Sequence, residues 1–215
     1  YEDPGMKMAA DLAAGKAPDL IDLENVSISE YVAKGILEDL TPYYETDSEI
    51  GLSDMIPSVA GAMQLAGGYY YVAPGFDIET LVGSTEHIGA ASGWTFDELK
   101  ALLAGKGDGV RPFMIENKTE ILNYFLQMNV GEYVDWNTGG CSFDGEDFRS
   151  ILELANSGSN EETDYSMGTL DDPALFREGE VLLIPASVSP LEVQIYGKLF
   201  DADINFIGYP NEERK

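Results

Sequence analysis

One cysteine, Cys141, and one histidine, His87, stand in 215 residues. A lone cysteine excludes an intramolecular disulfide and a thiolate metal cluster. A lone histidine excludes His-rich zinc sites and most catalytic triads, so no metal site is expected. Basic residues are scarce as well: 12 Lys and Arg against 39 Asp and Glu leave a formal charge of −27. Such a surface repels nucleic-acid phosphate and anionic membrane, and neither is expected as a partner. The acids are spread along the chain rather than gathered in a block, which reads as a solvated surface and not an acidic tail. No apolar run reaches the roughly 20 residues of a membrane-spanning helix, and no signal-peptide pattern is visible. A Gly-rich phosphate loop, a G-x-S-x-G nucleophile elbow and a complete EF-hand loop are all missing, and no cofactor is expected.

What is present is 44% apolar sequence, enough for a sizeable core and too much for disorder. Met6 to Ala14 is rich in helix formers, Gly15 suits a left-handed cap, and Pro18 prevents resumption before the apolar strand Leu20–Leu23. Ser27 and Glu30 form a capping box for a short helix closed by Gly35. Leu52, Met55, Ile56, Val59 and Met63 share one helical face, with Pro57 leaving its start open. Tyr69 to Ala73 reads as a strand broken by Pro74-Gly75. A second capping box, Thr95 to Glu98, precedes a helix with Phe96, Leu99 and Leu103 on one face. The strand Val110 to Ile115 comes next. Two helices follow it, one built on Ile121, Phe125 and Met128 and one on Phe148, Ile151, Leu152 and Ala155. Asp135 to Phe143 reads as a hairpin or turn-rich link around Gly139-Gly140, and Asn156 to Asp164 as a loop. Asp172-Pro173 and Ser189-Pro190 each open a helix, and Val181 to Ile184 and Ile204 to Tyr209 are strands. Alternating helices and strands signify α/β layers.

In open α/β sheets ligands bind beyond the carboxyl ends of strands. That rule selects Glu24 and Asn25 after the first strand, and Phe76 and Asp77 after the Tyr-rich one. It selects Glu116 and Asn117 after Val110 to Ile115, and Ser187 and Ser189 after Val181 to Ile184. Each has a competing role, since Asn and Ser at strand ends serve turns and caps first, Ser189 above all. Trp94 and Trp136 could stack on a sugar ring. Trp94 also precedes the Thr95 cap, where a packing role is expected. Tyr69, Tyr70 and Tyr71 alternate faces, so one or two at most can reach a ligand.

Several segments, in order, resemble the extracellular solute-binding proteins of ABC importers, the group that captures sugars and oligosaccharides. They are the run from Met6 through Ala17-Pro18-Asp19-Leu20-Ile21-Asp22-Leu23, Leu37 to Tyr43, Gly68 to Pro74, Gly93 to Leu99, Phe176 to Leu183 and Ile204 to Pro210. Trp94 departs from the family pattern, where proline is usual. The resemblance implies a periplasmic-binding-protein-like fold of two α/β sandwich lobes around a cleft, here in part. Residues 1–76 would be part of one lobe, 77–82 a crossover, 83–208 most of the second lobe and 209–215 the start of another crossover. It implies that the eight selected residues border the cleft and that the ligand is a saccharide delivered to an ABC permease. It also implies a place outside the cell, lipid-anchored to the outer face of the membrane. On this reading the chain is an internal piece, and weak ligand binding by itself is the expectation. The rival reading is a carbohydrate-acting hydrolase using paired carboxylates such as Glu24 and Glu116.

Overall fold

The computed structural model describes residues 4–24, 26–47, 49–114, 117–135, 138–160, 173–200 and 203–212. They belong to two units, Tyr1–Gly75 and Phe76–Lys215.

The first unit is helical. α1 (Pro4–Ala13) ends at Gly15, whose φ of 71° is the left-handed conformation expected of a cap. α2 (Ile28–Ala33) starts where Ser27 Oγ accepts from the Glu30 N–H at 3.4 Å. α3 (Thr41–Thr46) and α4 (Pro57–Met63) follow, separated by a short 3-10 turn, Leu52–Asp54. The apolar face expected from Leu52 to Met63 is therefore not one helix. Pro57 is the first residue of α4, and Ile56 before it is extended at ψ 123°, because the proline ring excludes the helical conformation from its predecessor.

Neither strand expected in this unit forms. Leu20–Leu23 and Tyr69–Ala73 carry no ladder among the described residues. β-propensity expresses itself only where a neighbouring chain accepts the hydrogen bonds. Tyr69 instead bonds back to α3: its carbonyl accepts from the Leu40 N–H at 2.7 Å, and its N–H donates to Thr41 Oγ1 at 3.2 Å. Its ring meets Tyr44 edge-on at 5.7 Å. Leu20 is left 90% exposed and Val72 69%.

The second unit is built on a mixed four-stranded sheet in the order β2-β5-β1-β6. These are β1 (Ile78–Ser84), β2 (Arg111–Phe113), β5 (Val181–Val188) and β6 (Ile204–Phe206). β1 runs antiparallel to both neighbours, while β2 and β5 are parallel. The central strand β1 falls on the segment 77–82 read as a crossover. Thr80, Leu81 and Val82 are all buried there, as a strand covered on both faces requires. The expected strands Val110 to Ile115 and Ile204 to Tyr209 appear as the shorter β2 and β6, Ile115 lying outside the described residues.

Around the sheet come α5 (Thr85–Ile88), α6 (Phe96–Ala104), α7 (Lys118–Tyr133), α8 (Glu146–Asn156), α9 (Pro173–Arg177) and α10 (Pro190–Leu199). The cap expected at Asp172 lies outside the described residues. The expected hairpin is β3 (Val134–Asp135) with β4 (Gly140–Cys141). α6 has its reciprocal capping box: Thr95 Oγ1 accepts from the Glu98 N–H at 3.3 Å, and the Thr95 N–H donates to Glu98 Oε2 at 2.8 Å.

Successive residues of β1 alternate faces. Leu81 joins Leu183, Phe96, Leu99, Phe113, Phe125 and Ile151 beneath α6, α7 and α8. Val82 joins Ala186 and Val188, against Tyr196 of α10 and Phe206. Phe125 is fully buried, and removing such a side chain from water stabilises by about 1.5–3 kcal/mol.

Candidate ligand site

Each unit holds a cavity that takes in one of the sequence-selected residues. In the first unit, Leu20–Glu24 and Tyr70–Pro74 flank a trough of about 760 Å³. Glu24 lies at its end, exposed, with its N–H donating to Asp22 Oδ1 at 3.0 Å. Asn25 lies outside the described residues. Tyr70 and Tyr71 both line the trough, whereas Tyr69 is buried.

In the second unit a cavity of about 360 Å³ opens between the flank of α7 and the ends of β1 and β5. Ser187 sits in it, and this corrects its expected place. β5 does not stop at Ile184 but continues to Val188, so Ser187 is inside the strand rather than after it. Pro185 does not end the strand because β2 stops at Phe113, opposite Leu183. Beyond that point β5 is paired on one side only, where a proline is tolerated. Opposite Ser187 in the ladder stands Glu79. α7 contributes Asn123, Tyr124 and Gln127, all exposed. The helix buries Ile121 and Phe125 against the sheet, and these three polar residues occupy its flank.

The segment after β6 runs on beside β1. The Ile207 N–H donates to the Leu81 carbonyl at 3.0 Å, and the Gly208 N–H to Thr80 Oγ1 at 3.1 Å. Tyr209 comes next, its ring edge-on to Phe125 at 5.3 Å. Burial pushes the Tyr209 phenol well above its ordinary range, and the charges of Tyr124 and Glu79 add to the effect.

The remaining selected residues have mixed places. Asn117 is the N-cap of α7, with Oδ1 accepting from the N–H groups of Thr119 at 2.7 Å and Glu120 at 3.4 Å. Ser189 caps α10 in a reciprocal box: its Oγ accepts from the Glu192 N–H at 3.3 Å, and its own N–H donates to Glu192 Oε2 at 2.7 Å. Those bonds hold the Glu192 carboxyl below its ordinary range. Phe76 is half-buried and Asp77 exposed in the segment leading into β1. Glu116 and Trp136 lie outside the described residues. Trp94 is structural: it is 5% exposed, and its indole N–H donates to the Gly208 carbonyl at 2.9 Å. Among the described residues, no three His, Cys, Asp or Glu side chains gather in a way that could hold a metal.

Sequence reasoning missed Glu79, Asn123, Tyr124 and Gln127. The polar positions on the flank of α7 were visible in its periodicity, but nothing local marked them as converging on Ser187.

A model of the bacterial extracellular solute-binding protein family matches residues 1–202. The chain belongs to this family. Solved structures agree in fold. One is the sugar-binding protein MalE of Xanthomonas citri, with a TM-score of 0.65 at 17% identity, covering 98% of this chain and 57% of that one. An ABC substrate-binding protein of Listeria monocytogenes in complex with cycloalternan gives 0.55 at 18% identity, covering 99% and 57%. Apo RafE of Streptococcus pneumoniae gives 0.55 at 17%, covering 100% and 59%. This solute-binding protein chain thus has the α/β fold of the two-lobed receptors and spans somewhat over half their length. No helix among its described residues is long and apolar enough to cross a membrane.

Proposed function

We propose that this chain belongs to a receptor that captures a neutral carbohydrate outside the cell and delivers it, unchanged, to an ABC permease. The family match over residues 1–202 carries this reading. Solved structures with the same fold, a sugar-binding protein and a cycloalternan complex among them, supply the ligand class. Residues 1–76 and 83–208 are the lobe portions, joined through 77–82, with a second crossover beginning in 209–215. Glu24, Asn25, Phe76, Asp77, Glu116, Asn117, Ser187 and Ser189 are the proposed ligand contacts. Asn117 and Ser189 would serve a ligand in addition to their helix caps.

The mechanism is binding and population shift. A ligand that touches both lobes favours the closed state by its extra contacts there, and no bond is made or broken. A lipid anchor on the outer membrane face would hold the receptor near its permease.

The test is calorimetry of the whole receptor against a panel of neutral saccharides, followed by chromatography of the recovered ligand. Binding with intact ligand is the expected result. Turnover of a glycoside that Glu116→Gln or Glu24→Gln abolishes would replace the receptor by the hydrolase.

A further inference from the structure

A cavity of about 540 Å³ lies between α6 and α8 at the edge strand β2, and it shares no residue with the one that holds Ser187. Leu103, Pro112 and Leu154 give it apolar walls. Lys100 and Lys106 line it as well. Two lysines at one cavity stand out in a chain with 12 basic residues against 39 acids. The trough of the first unit is lined instead by Asp19, Asp22, Glu24 and Glu38, and the Ser187 cavity by Glu79.

Lys100 is held in place. Its Nζ donates to Ser150 Oγ at 2.8 Å, and Ser150 is 5% exposed. Ser150 does not need the lysine, since its hydroxyl already donates to the Glu146 carbonyl at 2.9 Å. The bond fixes where the ammonium sits, so less side-chain freedom is lost when a ligand engages it. Glu153 Oε2 lies 3.7 Å from the same Nζ, and so exposed a pair neutralises the charge only weakly. Lys106 follows the Gly105 cap of α6, where a lysine ordinarily serves the last carbonyls of the helix. Those carbonyls have other donors: Ala101 and Leu102 accept from the Gly105 N–H at 3.1 Å each, and Leu103 from the Lys106 N–H at 3.5 Å. The Lys106 side chain is thereby left exposed at the cavity.

The geometry points to this cavity as a binding site for an organic monoanion, a carboxylate carried on a compact apolar body such as an aromatic acid. The carboxylate takes the ammonium groups of Lys100 and Lys106, and the apolar body packs on Leu103, Pro112 and Leu154. Two lysines against the one carboxylate of Glu153 suit a ligand with a single negative charge. The volume falls within the roughly 300–1,000 Å³ typical of small-molecule sites, and is more than an inorganic ion needs. The chain's charge of −27 repels anions at a distance, but screening limits that repulsion to about 8 Å at physiological ionic strength. Inside the cavity a ligand meets the lysines first. None of the eight proposed sugar contacts lines this cavity, so the site stands apart from the receptor reading.

The experiment is an NMR titration of the full 215-residue chain with benzoate at fixed pH and ionic strength. Benzamide, of the same shape without the charge, and inorganic phosphate, charged without an apolar body, are the comparisons. The expected result is saturable shifts at the amides of Leu103, Lys106 and Leu154 with benzoate, and clearly weaker binding of the other two. Lys106→Gln, at an exposed position, should weaken benzoate binding by roughly two- to fivefold, the range of one exposed ion pair. Lys106→Arg should keep the affinity, because it keeps the charge. Benzamide or phosphate binding as tightly as benzoate would overturn the site, the first by removing the role of the lysines and the second that of the apolar walls. Unchanged affinity in Lys106→Gln, shifts wholly outside the cavity, or no saturable shift up to the solubility of benzoate would overturn it too.

Discussion

Gly83 of β1 lies directly under Ile88 of α5. A Cβ at position 83 would stand 2.8 Å from Ile88 Cδ1 and 3.1 Å from Leu183 Cδ2. Leu183 is fully buried in the adjacent strand and cannot recede, so the absence of a side chain is what lets α5 fold back onto the sheet. Gly83→Ala should destabilise the second unit by about 1–3 kcal/mol, the usual range for overpacking. Urea denaturation followed by tryptophan fluorescence reads this, since Trp94 and Trp136 both fall within 76–215. Gly61 in α4, where a Cβ meets nothing within 4 Å, is the control: alanine there should leave stability equal or improve it by up to about 1 kcal/mol.

Hydrogen exchange should divide the chain unevenly. Amides of β1 and β5 are laddered in a buried sheet and should be protected to near the global limit. Those of Leu20–Leu23 and Tyr71–Ala73 have no ladder and should exchange at close to open-chain rates. Equal protection in the two sets would contradict the architecture described for the first unit.

Asp147 provides a pH test. Partial burial raises its carboxyl above the ordinary range, with Glu212 and Asp97 adding to the effect and Lys100 opposing it. A carboxyl whose pKa is higher in the folded state than in the unfolded contributes stability that is fully present below the unfolded value. That contribution is lost as pH rises through the folded value. Asp147→Asn should therefore melt slightly higher than the parent at about pH 7, by no more than the roughly 0–1 kcal/mol of exposed charge interactions. The two should converge at about pH 3, where the carboxyl is protonated in both states. Added salt should shrink the gain, because the Glu212 and Asp97 repulsions are screened. Thermal melts at the two pH values and two ionic strengths settle the sign.

Local chemistry was readable from the sequence, and pairing was not. The capping box at Thr95–Glu98 and the helix start at Ser189-Pro190 are each complete within a few residues, and both helices start where these place them. β1 escaped because Glu79 and Gly83 interrupt its apolar run, although its three middle residues are buried. Leu20–Leu23 and Tyr69–Ala73 were misread for the opposite reason: strong β-formers remain single chains until a neighbour bonds to them. Pro57 decided the fate of the Leu52 to Met63 face, against a periodicity that ran straight through it. The site divides in the same way. Ser187 was selected from its position near a strand end, and it lines the cavity from inside β5. Glu79 joins it only through the β1–β5 register, and Tyr124 only through the seating of α7 on Phe125.

β4 brings Cys141 to the surface of the short hairpin, where its side chain belongs to no buried cluster. As it is the sole sulfhydryl of the chain, a thiol-directed fluorophore attaches at a single defined address without disturbing packed side chains. The fold also owes nothing to a covalent cross-link, so reductant can be kept in every buffer at no cost to stability. The wild-type sequence is thereby ready for an optical reporter of ligand capture, with no engineering of its core.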